Sequence, residues 1–386
     1  MSLIQQPAYL ITIILLLIVF SEWLAQKKFF KHLGSVLIII IGAAILSNLR
    51  IIPSSDNAPS LYGKIFEYAA PLGIFFLLID IRIKDLKLAG LPMMLMFFIG
   101  AAASIAGVII SYRIVSPQHH IGQAYAVAGM FTGTYIGGGA NLSAVALQYG
   151  VNKNGNLFAA VNAVDNIITA AWIFVTIFFP PILQKAFPRK KIIPPELKGI
   201  TDVDIDSFIS HARPEITITD ISLLLALGFG SMFIGSIVTK YFPQIPSILV
   251  LTTLALIFAQ IPFVQKLKGS KILGLLMIMI FLAVIGAFCD IRALMQNGEV
   301  AGTLLLWDTI LVLIHGVIIF SIGGLLKQDW DIVSIASNAN IAGATTAPVC
   351  AVSLGRSELQ LPGILAGSVG NAIGTYLGIL IAELLR

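Results

Sequence analysis

Charge is scarce in this chain. Asp, Glu, Lys and Arg together make up 11% of its 386 residues, against about 25% in a typical soluble domain. A water-soluble surface cannot be built from so little charge, which excludes a soluble enzyme and a disordered chain. Strict alternation of apolar and polar residues is also lacking, and with it the signature of an outer-membrane barrel. There are only two cysteines, Cys289 and Cys350. They lie far apart in apolar stretches, so a disulfide framework is excluded and both read as buried thiols. There is no Gly-x-Ser-x-Gly elbow, no His-Glu-x-x-His zinc pair, no P-loop and no paired-aspartate arrangement on facing segments. His119 and His120 have no metal-ligand partners nearby. The chain therefore reads as a non-enzyme that needs no metal or organic cofactor.

What is present is apolar sequence, 58% of the chain. The charged residues leave open runs of about 17–25 residues, the length a helix needs to cross a bilayer. The expected class is an all-α polytopic protein of the cell (inner) membrane, with the lipid bilayer as its partner. The net charge of +5 is spread over basic loops that report topology, so no nucleic-acid partner is needed. The first apolar stretch, Tyr9 to Ala25, has no Lys or Arg before it. Lys27, Lys28 and Lys31 follow it. That flank pattern predicts a first span with its N-terminus outside.

Twelve apolar segments can be marked, at about 9–25, 33–49, 65–80, 89–112, 120–149 and 155–180, then 218–240, 246–263, 271–289, 300–326, 332–354 and 361–384. The polar stretch 181–217 reads as a cytoplasmic linker between a first membrane repeat, 1–180, and a second, 218–386. The halves echo one another. Their third segments end Asp80-Ile81-Arg82 and Asp290-Ile291-Arg292. Both fifth segments are rich in Gly, Ala, Ser, Thr and Asn, and both contain Ala-Asn followed by an aliphatic residue. The sixth carry Val164-Asp165-Asn166 and Val369-Gly370-Asn371. Three echoes in the same order predict an internal repeat. If each fifth segment is a re-entrant hairpin, each half crosses five times and the second half is inverted. That arrangement puts more Lys and Arg on the cytoplasmic side than twelve full crossings do in either orientation, so the positive-inside rule favours it. Gly137, Gly138 and Gly139 in mid-segment agree, because each Gly costs a helix about 1 kcal/mol against Ala. Non-helical backbone at membrane depth survives only where protein or a water-filled cavity covers it.

A helix that ends inside the membrane offers N–H groups to an anion at one end and carbonyls to a cation at the other. Thr132, Thr134, Asn141 and Ser143 in the first broken segment add neutral oxygens and amides. Ser337, Asn338, Asn340, Thr345 and Thr346 do the same in the second. Neutral oxygens suit sodium, a hard cation. The competing reading is that small and polar residues simply pack helices together. Asp165 lies near mid-membrane, where an ionised carboxylate costs at least about 2.5–3.5 kcal/mol. It must be protonated, paired with a cation or hydrated, and so becomes the candidate for ion coupling, with Asn166 and Asn371 beside it. A structural hydrogen bond to Asn162 or to a neighbouring helix is the plain alternative. Asp308 and His315 are seven apart and share a helix face. They could form a proton-linked pair, or Asp308 could lie at the membrane surface beside an interfacial Trp307.

The stretch Gly133-Thr134-Tyr135-Ile136-Gly137-Gly138-Gly139-Ala140-Asn141, with Val164-Asp165-Asn166 and Ser337-Asn338-Ala339-Asn340, resembles the membrane family called domain of unknown function 819. The likeness covers nearly the whole chain. In architecture the pattern is similar to the bacterial sodium:glutamate symporters and the 2-hydroxycarboxylate transporters. That resemblance implies two inverted five-span halves, each with a Gly-rich re-entrant hairpin before its last span. It implies Gly137 to Asn141 and Ser337 to Asn340 at the hairpin tips, and a homodimer by analogy. The second stretch departs from a Gly-rich tip, and no Arg stands in the site segments to clamp a carboxylate.

The expectation is a cation-coupled symporter of a small organic anion, amino acid or short peptide, with sodium or protons as the coupling ion. A bundle of segments 3, 5, 6, 9, 11 and 12 would carry the site and move against the other six. The alternative is a sodium/proton exchanger with no organic solute.

Overall fold

The computed structural model describes residues 5–27, 34–54, 57–192, 216–242, 245–288 and 298–386. Cys289, the Asp290-Ile291-Arg292 echo, Lys28, Lys31 and most of the 181–217 linker lie outside the described residues. The described residues contain helices and no strands. Among the described residues, eight helices are long and apolar enough to cross a membrane.

The helices in chain order are α1 Pro7–Ala25, α2 Gly34–Asn48, α3 Ser60–Leu78, α4 Leu91–Val115, α5 Ala124–Gly137 and α6 Gly139–Tyr149. They continue with α7 Gly155–Ala186, α8 Ile218–Tyr241, α9 Ser247–Phe258, α10 Ser270–Ala287 and α11 Gly298–Leu325. The last three are α12 Trp330–Ile341, α13 Ala347–Ser353 and α14 Gln360–Leu385. Each of the twelve apolar segments of the sequence is found here, ten as single elements and two as broken pairs. Local chemistry sets several of the boundaries. Pro7 and Pro92 sit in first turns, where a missing N–H is not felt. Thr217 and Asp220 form a reciprocal capping box at the start of α8. Asn154 caps α7 by accepting from the Leu157 N–H.

The helices sort into two bundles. In one, α2 and α3 pack on α10, α3 also touches α8 and α9, and α1 lies against α2. In the other, α5 packs along α14, α4 along α11, and α12 sits among α4, α5, α7 and α14. The contacts between bundles are fewer and run α3 to α6, α7 to α10, α2 to α7 and α9 to α14. Apolar side chains line the outer faces, such as Leu16, Val19 and Phe20 on α1 and Phe229 and Phe233 on α8. These suit lipid tails.

The division corrects one expectation. The bundle holding both broken segments contains the fourth and tenth apolar segments, α4 and α11, in place of the third and ninth, α3 and α10. Sequence polarity missed this because α4 contributes mainly a single hydroxyl, Ser104, and α11 contributes Asp308 and His315 spaced among apolar residues.

The α5–α14 seam shows why glycine is frequent in this bundle. Gly129, Gly133 and Gly137 recur every four residues on α5, and Gly370, Gly374 and Gly378 do so on α14. A side chain on Gly378 would fall 2.6 Å from the Gly129 carbonyl, and one on Gly374 would fall 2.9 Å from the Gly133 carbonyl. A side chain on Gly137 would strike the Gly370 carbonyl. Backbones meet directly along this line, as small residues allow where no hydrophobic force drives helices together.

Candidate functional site

The two broken segments are built alike. Helix α5 stops at Gly137, Gly138 takes φ +85°, and α6 begins at the next residue. A left-handed φ of this kind is open to Gly at little cost and closed to most other residues. The chain then doubles back. Gln123, which precedes α5, donates to the carbonyl of Tyr149 at the end of α6 (3.1 Å), and the Tyr125 and Tyr149 rings meet edge to face. In the second segment α12 stops at Ile341, Gly343 also takes φ +85°, and α13 starts at Ala347. Its far ends are tied by charge. Arg356, just past α13, reaches Asp329 (2.7 Å) and Asp331 (2.9 Å) at the start of α12.

The two breaks face each other. A Cβ on Gly343 would lie 3.9 Å from the Gly138 Cα. A Cβ on Gly138 would lie 3.8 Å from Oδ1 of Asn371 on α14. Helix α14 thus runs past both breaks, with Gly367 against Ala344 and Gly370 against Ile136.

This placement corrects the expected second tip. Ser337, Asn338 and Asn340 lie in the body of α12 and are fully buried, while the turn itself is Ala342 to Thr346. The tip therefore does carry a glycine, Gly343. The Ala140-Asn141 and Ala339-Asn340 echo is also out of register, since Asn141 follows its break and Asn340 precedes its own. Gly138 and Gly343 are instead separated by the same interval as Asp165 and Gly370, and as Asn166 and Asn371. At that same interval Asn141 pairs in number with Thr346, not with Asn340.

The candidate side chains divide by what they touch. Thr132 donates back to the Ala128 carbonyl of its own helix (2.9 Å), and Gly137 is packing surface for α14. For these two the helix-packing reading holds. Ser143 is buried on α6, whereas Gly139 and Thr345 are exposed beside the two breaks. Asn141 accepts from Thr375 of α14 (2.6 Å) and keeps a buried amide Nδ2 with no partner. Asn338 donates to Thr176 on α7 (3.0 Å) and accepts from Thr346 (2.8 Å). Asn340 donates to the Phe97 carbonyl on α4 (3.1 Å), and its Oδ1 is buried without a partner. Asn166 donates to the Asn162 carbonyl one turn back (2.7 Å).

Asp165 lies on α7, buried, and its Oδ1 has no partner. Its neighbours are the hydroxyls of Thr134 and Tyr135 from the last turn of α5. Of the two structural partners considered for it, Asn162 serves Asn166 instead, while the neighbouring helix is α5, which supplies Thr134 and Tyr135. The Tyr135 hydroxyl donates to Asp308 on α11 (2.5 Å). Asp308 and Trp307 are both 0% exposed. Both are covered by neighbouring helices of the bundle and neither faces its outer surface. Trp307 packs edge to face on Phe131 and Tyr112. The sequence shows no paired aspartates on facing segments, yet α7 and α11 bring Asp165 and Asp308 to one tyrosine. Their spacing along the chain hides the pair, and only the fold reveals it.

His315 does not bond Asp308. Its Nδ1 meets the Ser104 hydroxyl of α4 (3.0 Å) and its Nε2 meets Ser337 of α12 (2.9 Å). Ser337 also accepts from the Trp172 indole of α7 (3.0 Å), and Ser104 donates to the Tyr135 carbonyl (2.8 Å). Sequence reading missed Tyr135, Ser104, Trp172, Thr176 and Thr375 as site residues. Tyr135 stood inside the Gly-rich stretch and was the one that could have been found, as a phenol in a segment of small residues.

Unpaired buried polar atoms gather here. Asn141 Nδ2, Asp165 Oδ1, Asp308 Oδ1, Asn340 Oδ1 and Trp307 Nε1 all lie on helices of this bundle. Buried polar groups are normally satisfied, so such a gathering calls for a bound species or a strain role. An apolar groove of about 360 Å³ between α1, α3, α8 and α10 lies in the other bundle and touches none of these groups.

Comparison with known proteins extends over almost the whole length. The chain is 28% identical over 366 residues to the uncharacterized membrane protein YjcL of Bacillus subtilis (strain 168), covering 91% of this chain and 89% of that one. Residues 9–386 match the family described as protein of unknown function DUF819, and this multi-pass membrane protein belongs to that family.

Proposed function

We propose that the protein is a cation-coupled secondary transporter of a small organic anion, amino acid or short peptide, working by alternating access around two re-entrant hairpins. The observation that carries this reading is the meeting of two helix breaks, at Gly138 and Gly343, amid buried polar groups with unpaired atoms. In a membrane, irregular backbone of this kind belongs where it lines a solute or ion path. The first turn of α6 offers N–H groups for a carboxylate, and the carbonyl ends of α5 and α12 suit a cation.

In this reading α5–α6 and α12–α13 are the two hairpins of an inverted repeat, with the 181–217 linker in the cytoplasm. The common interval between the breaks and between the Asp165 and Asn166 pairs supports it, as does the equal sharing of each bundle between halves. Asn141, Asn340 and Thr346 hold the solute, and Asp165 holds the coupling ion. The bundle with the breaks shifts against the bundle of α1, α2, α3, α8, α9 and α10, and it needs different affinities for solute in its two facings.

A sodium/proton exchanger is the second reading, favoured by the two buried carboxylates that converge on Tyr135. Solute flux into proteoliposomes driven by a sodium or proton gradient separates the two. Under the symporter reading, Asn141→Ala weakens solute uptake at least about tenfold, a loss of ~1.4 kcal/mol, and Asp165→Asn abolishes gradient dependence. Gradient exchange that ignores every solute and survives Asn141→Ala selects the exchanger. Wild-type activity in both variants overturns the site assignment.

A further inference from the structure

Helix α3 is irregular where it faces α8. Pro71 has no N–H, so the Glu67 carbonyl one turn earlier loses its donor. The chain answers with a π turn over Ile65–Ala69, a local adjustment that serves such freed carbonyls in membrane helices. Lys64, Glu67 and Tyr68 stand exposed around this turn. Further along, Gly228 of α8 lets the two helices close. A side chain there would fall 2.7 Å from Leu72 and 3.3 Å from Phe76. Between the turn and this contact, the Tyr68 and Phe229 rings meet at 6.1 Å.

Two grooves flank that ring pair, and Tyr68 and Phe229 line both. One is the apolar groove of about 360 Å³ already described, with Lys64 on its wall. The other, of about 760 Å³, runs between α3, α8 and α9. It is apolar along Met232, Phe233 and Leu251, and polar at Glu67, Ser236, Thr239 and Lys240. The charges there do not cancel. Lys64 and Glu67 pair with each other (3.1 Å). Lys240 is exposed, and no ion pair among the described residues uses it. The hydroxyls beside it already donate, Ser236 to the Phe233 carbonyl (2.7 Å) and Thr239 to the Ile245 carbonyl (3.0 Å). Their oxygens keep lone pairs and accept from a ligand. The groove thus offers one unmatched cation, hydrogen-bond acceptors around it and an apolar channel beyond. In a bilayer the channel alone selects nothing, because lipid tails are as apolar as its walls. The choice falls to the head group, which must bring an anion for Lys240 and hydroxyl donors for Ser236 and Thr239.

We propose that this pair of grooves binds one two-chain phospholipid with an anionic, hydroxyl-bearing head group of the phosphatidylglycerol kind. Its acyl chains lie one in each groove, with the Tyr68–Phe229 ridge between them. Its phosphate meets Lys240, and its glycerol hydroxyls donate to Ser236 and Thr239. The lipid fills the space that α3, α8 and α9 leave open and becomes part of the bundle without the breaks. The site stands apart from the transport reading and does not depend on it.

Native mass spectrometry of the full chain tests the site. The protein is delipidated in detergent and offered phosphatidylglycerol, phosphatidylethanolamine and phosphatidylcholine with identical acyl chains. The expected spectrum shows phosphatidylglycerol held by the chain and preferred about fivefold over the other two, the effect of one basic residue near an anionic lipid. Lys240→Gln should lose that preference and still retain lipid. Lys153→Gln, between α6 and α7, should keep the preference. Met232→Trp fills the larger groove and should lose the retained lipid. Lys240 is exposed, so its variant carries the test alone if Met232→Trp does not fold. Glycerol phosphate has the head group without acyl chains and should not displace the lipid. The proposal is overturned by equal retention of the three lipids, by a preference that survives Lys240→Gln, or by displacement with glycerol phosphate. A lipid-free dimer that Met232→Trp breaks apart would also overturn it, and would give the grooves to a second copy of the chain.

Discussion

At the scale of single residues, burial and partners separate the groups that pack from those that could bind. Thr132 and Gly137 spend themselves on their own bundle, while Asn141 and Asn340 each keep one buried polar atom free. Thr375 fixes Asn141 by donating to its Oδ1. Thr375→Val should leave that oxygen unpaired and cost about 1–3 kcal/mol of stability, read as a lower melting temperature, and should weaken solute-dependent stabilisation more than Thr132→Val does. Equal effects of the two changes would contradict the division. The residue types at the site were legible in the sequence, as an acid, amides and hydroxyls among small residues. Which of them face inward was not, because a Thr on a helix can bond its own backbone or a neighbour with the same sequence around it.

At the scale of elements, the second broken pair depends on one cation. Arg356 has a 3% exposed side chain and holds Asp329, Asp331 and Glu358, together with the Ile192 carbonyl where the described linker ends. Burial works against its charge, but hydrogen bonds and attraction from Asp329, Glu358 and Asp331 outweigh that penalty and raise the guanidinium above its ordinary value. Arg356→Gln should destabilise the protein by about 3–5 kcal/mol, since it strands a buried carboxylate. The comparison is Lys190→Glu in the same linker, an exposed position that should change stability by less than about 1 kcal/mol and leave transport intact. Glycine tells a similar story on α14. Gly374→Ala would press on the Asn141 amide and the Gly133 carbonyl, and overpacking of this kind costs about 1–3 kcal/mol. Element number and extent were legible because apolar length is a strong signal. The position of the second break was not. The Ser-Asn-Ala-Asn run draws the eye, while the single Gly343 that permits the turn is one glycine among many.

At the scale of the whole molecule, each bundle takes three apolar segments from each half of the chain. The inter-bundle contacts are narrow. Tyr376 on α14 meets Thr253 on α9 at 2.7 Å, and Gly155 at the start of α7 abuts Phe288. A cleavable thiol linker joining Thr253→Cys to Tyr376→Cys, with both native cysteines replaced, should stop flux while leaving solute-dependent stabilisation. Cleaving the linker should restore flux. Flux that continues while the linker is intact would contradict movement between the bundles. Bundle membership was misread from sequence because α4 and α11 are apolar on average and only their few inward polar residues join them to the site. The most direct test of the central claim, that the facing breaks bind a solute and a cation, is thermal stability of the detergent-purified protein. It would be measured in sodium, potassium or choline at equal ionic strength and at several pH values, against amino acids, hydroxy acids, dicarboxylates and short peptides. Ligand that binds only the folded state adds about 2.7 kcal/mol at ~100 times its Kd. The account predicts that one solute class raises the melting temperature, that a cation or proton enlarges the rise, and that Asn141→Ala removes it. A melting temperature indifferent to every solute, cation and pH, in a protein that unfolds cooperatively, would contradict it.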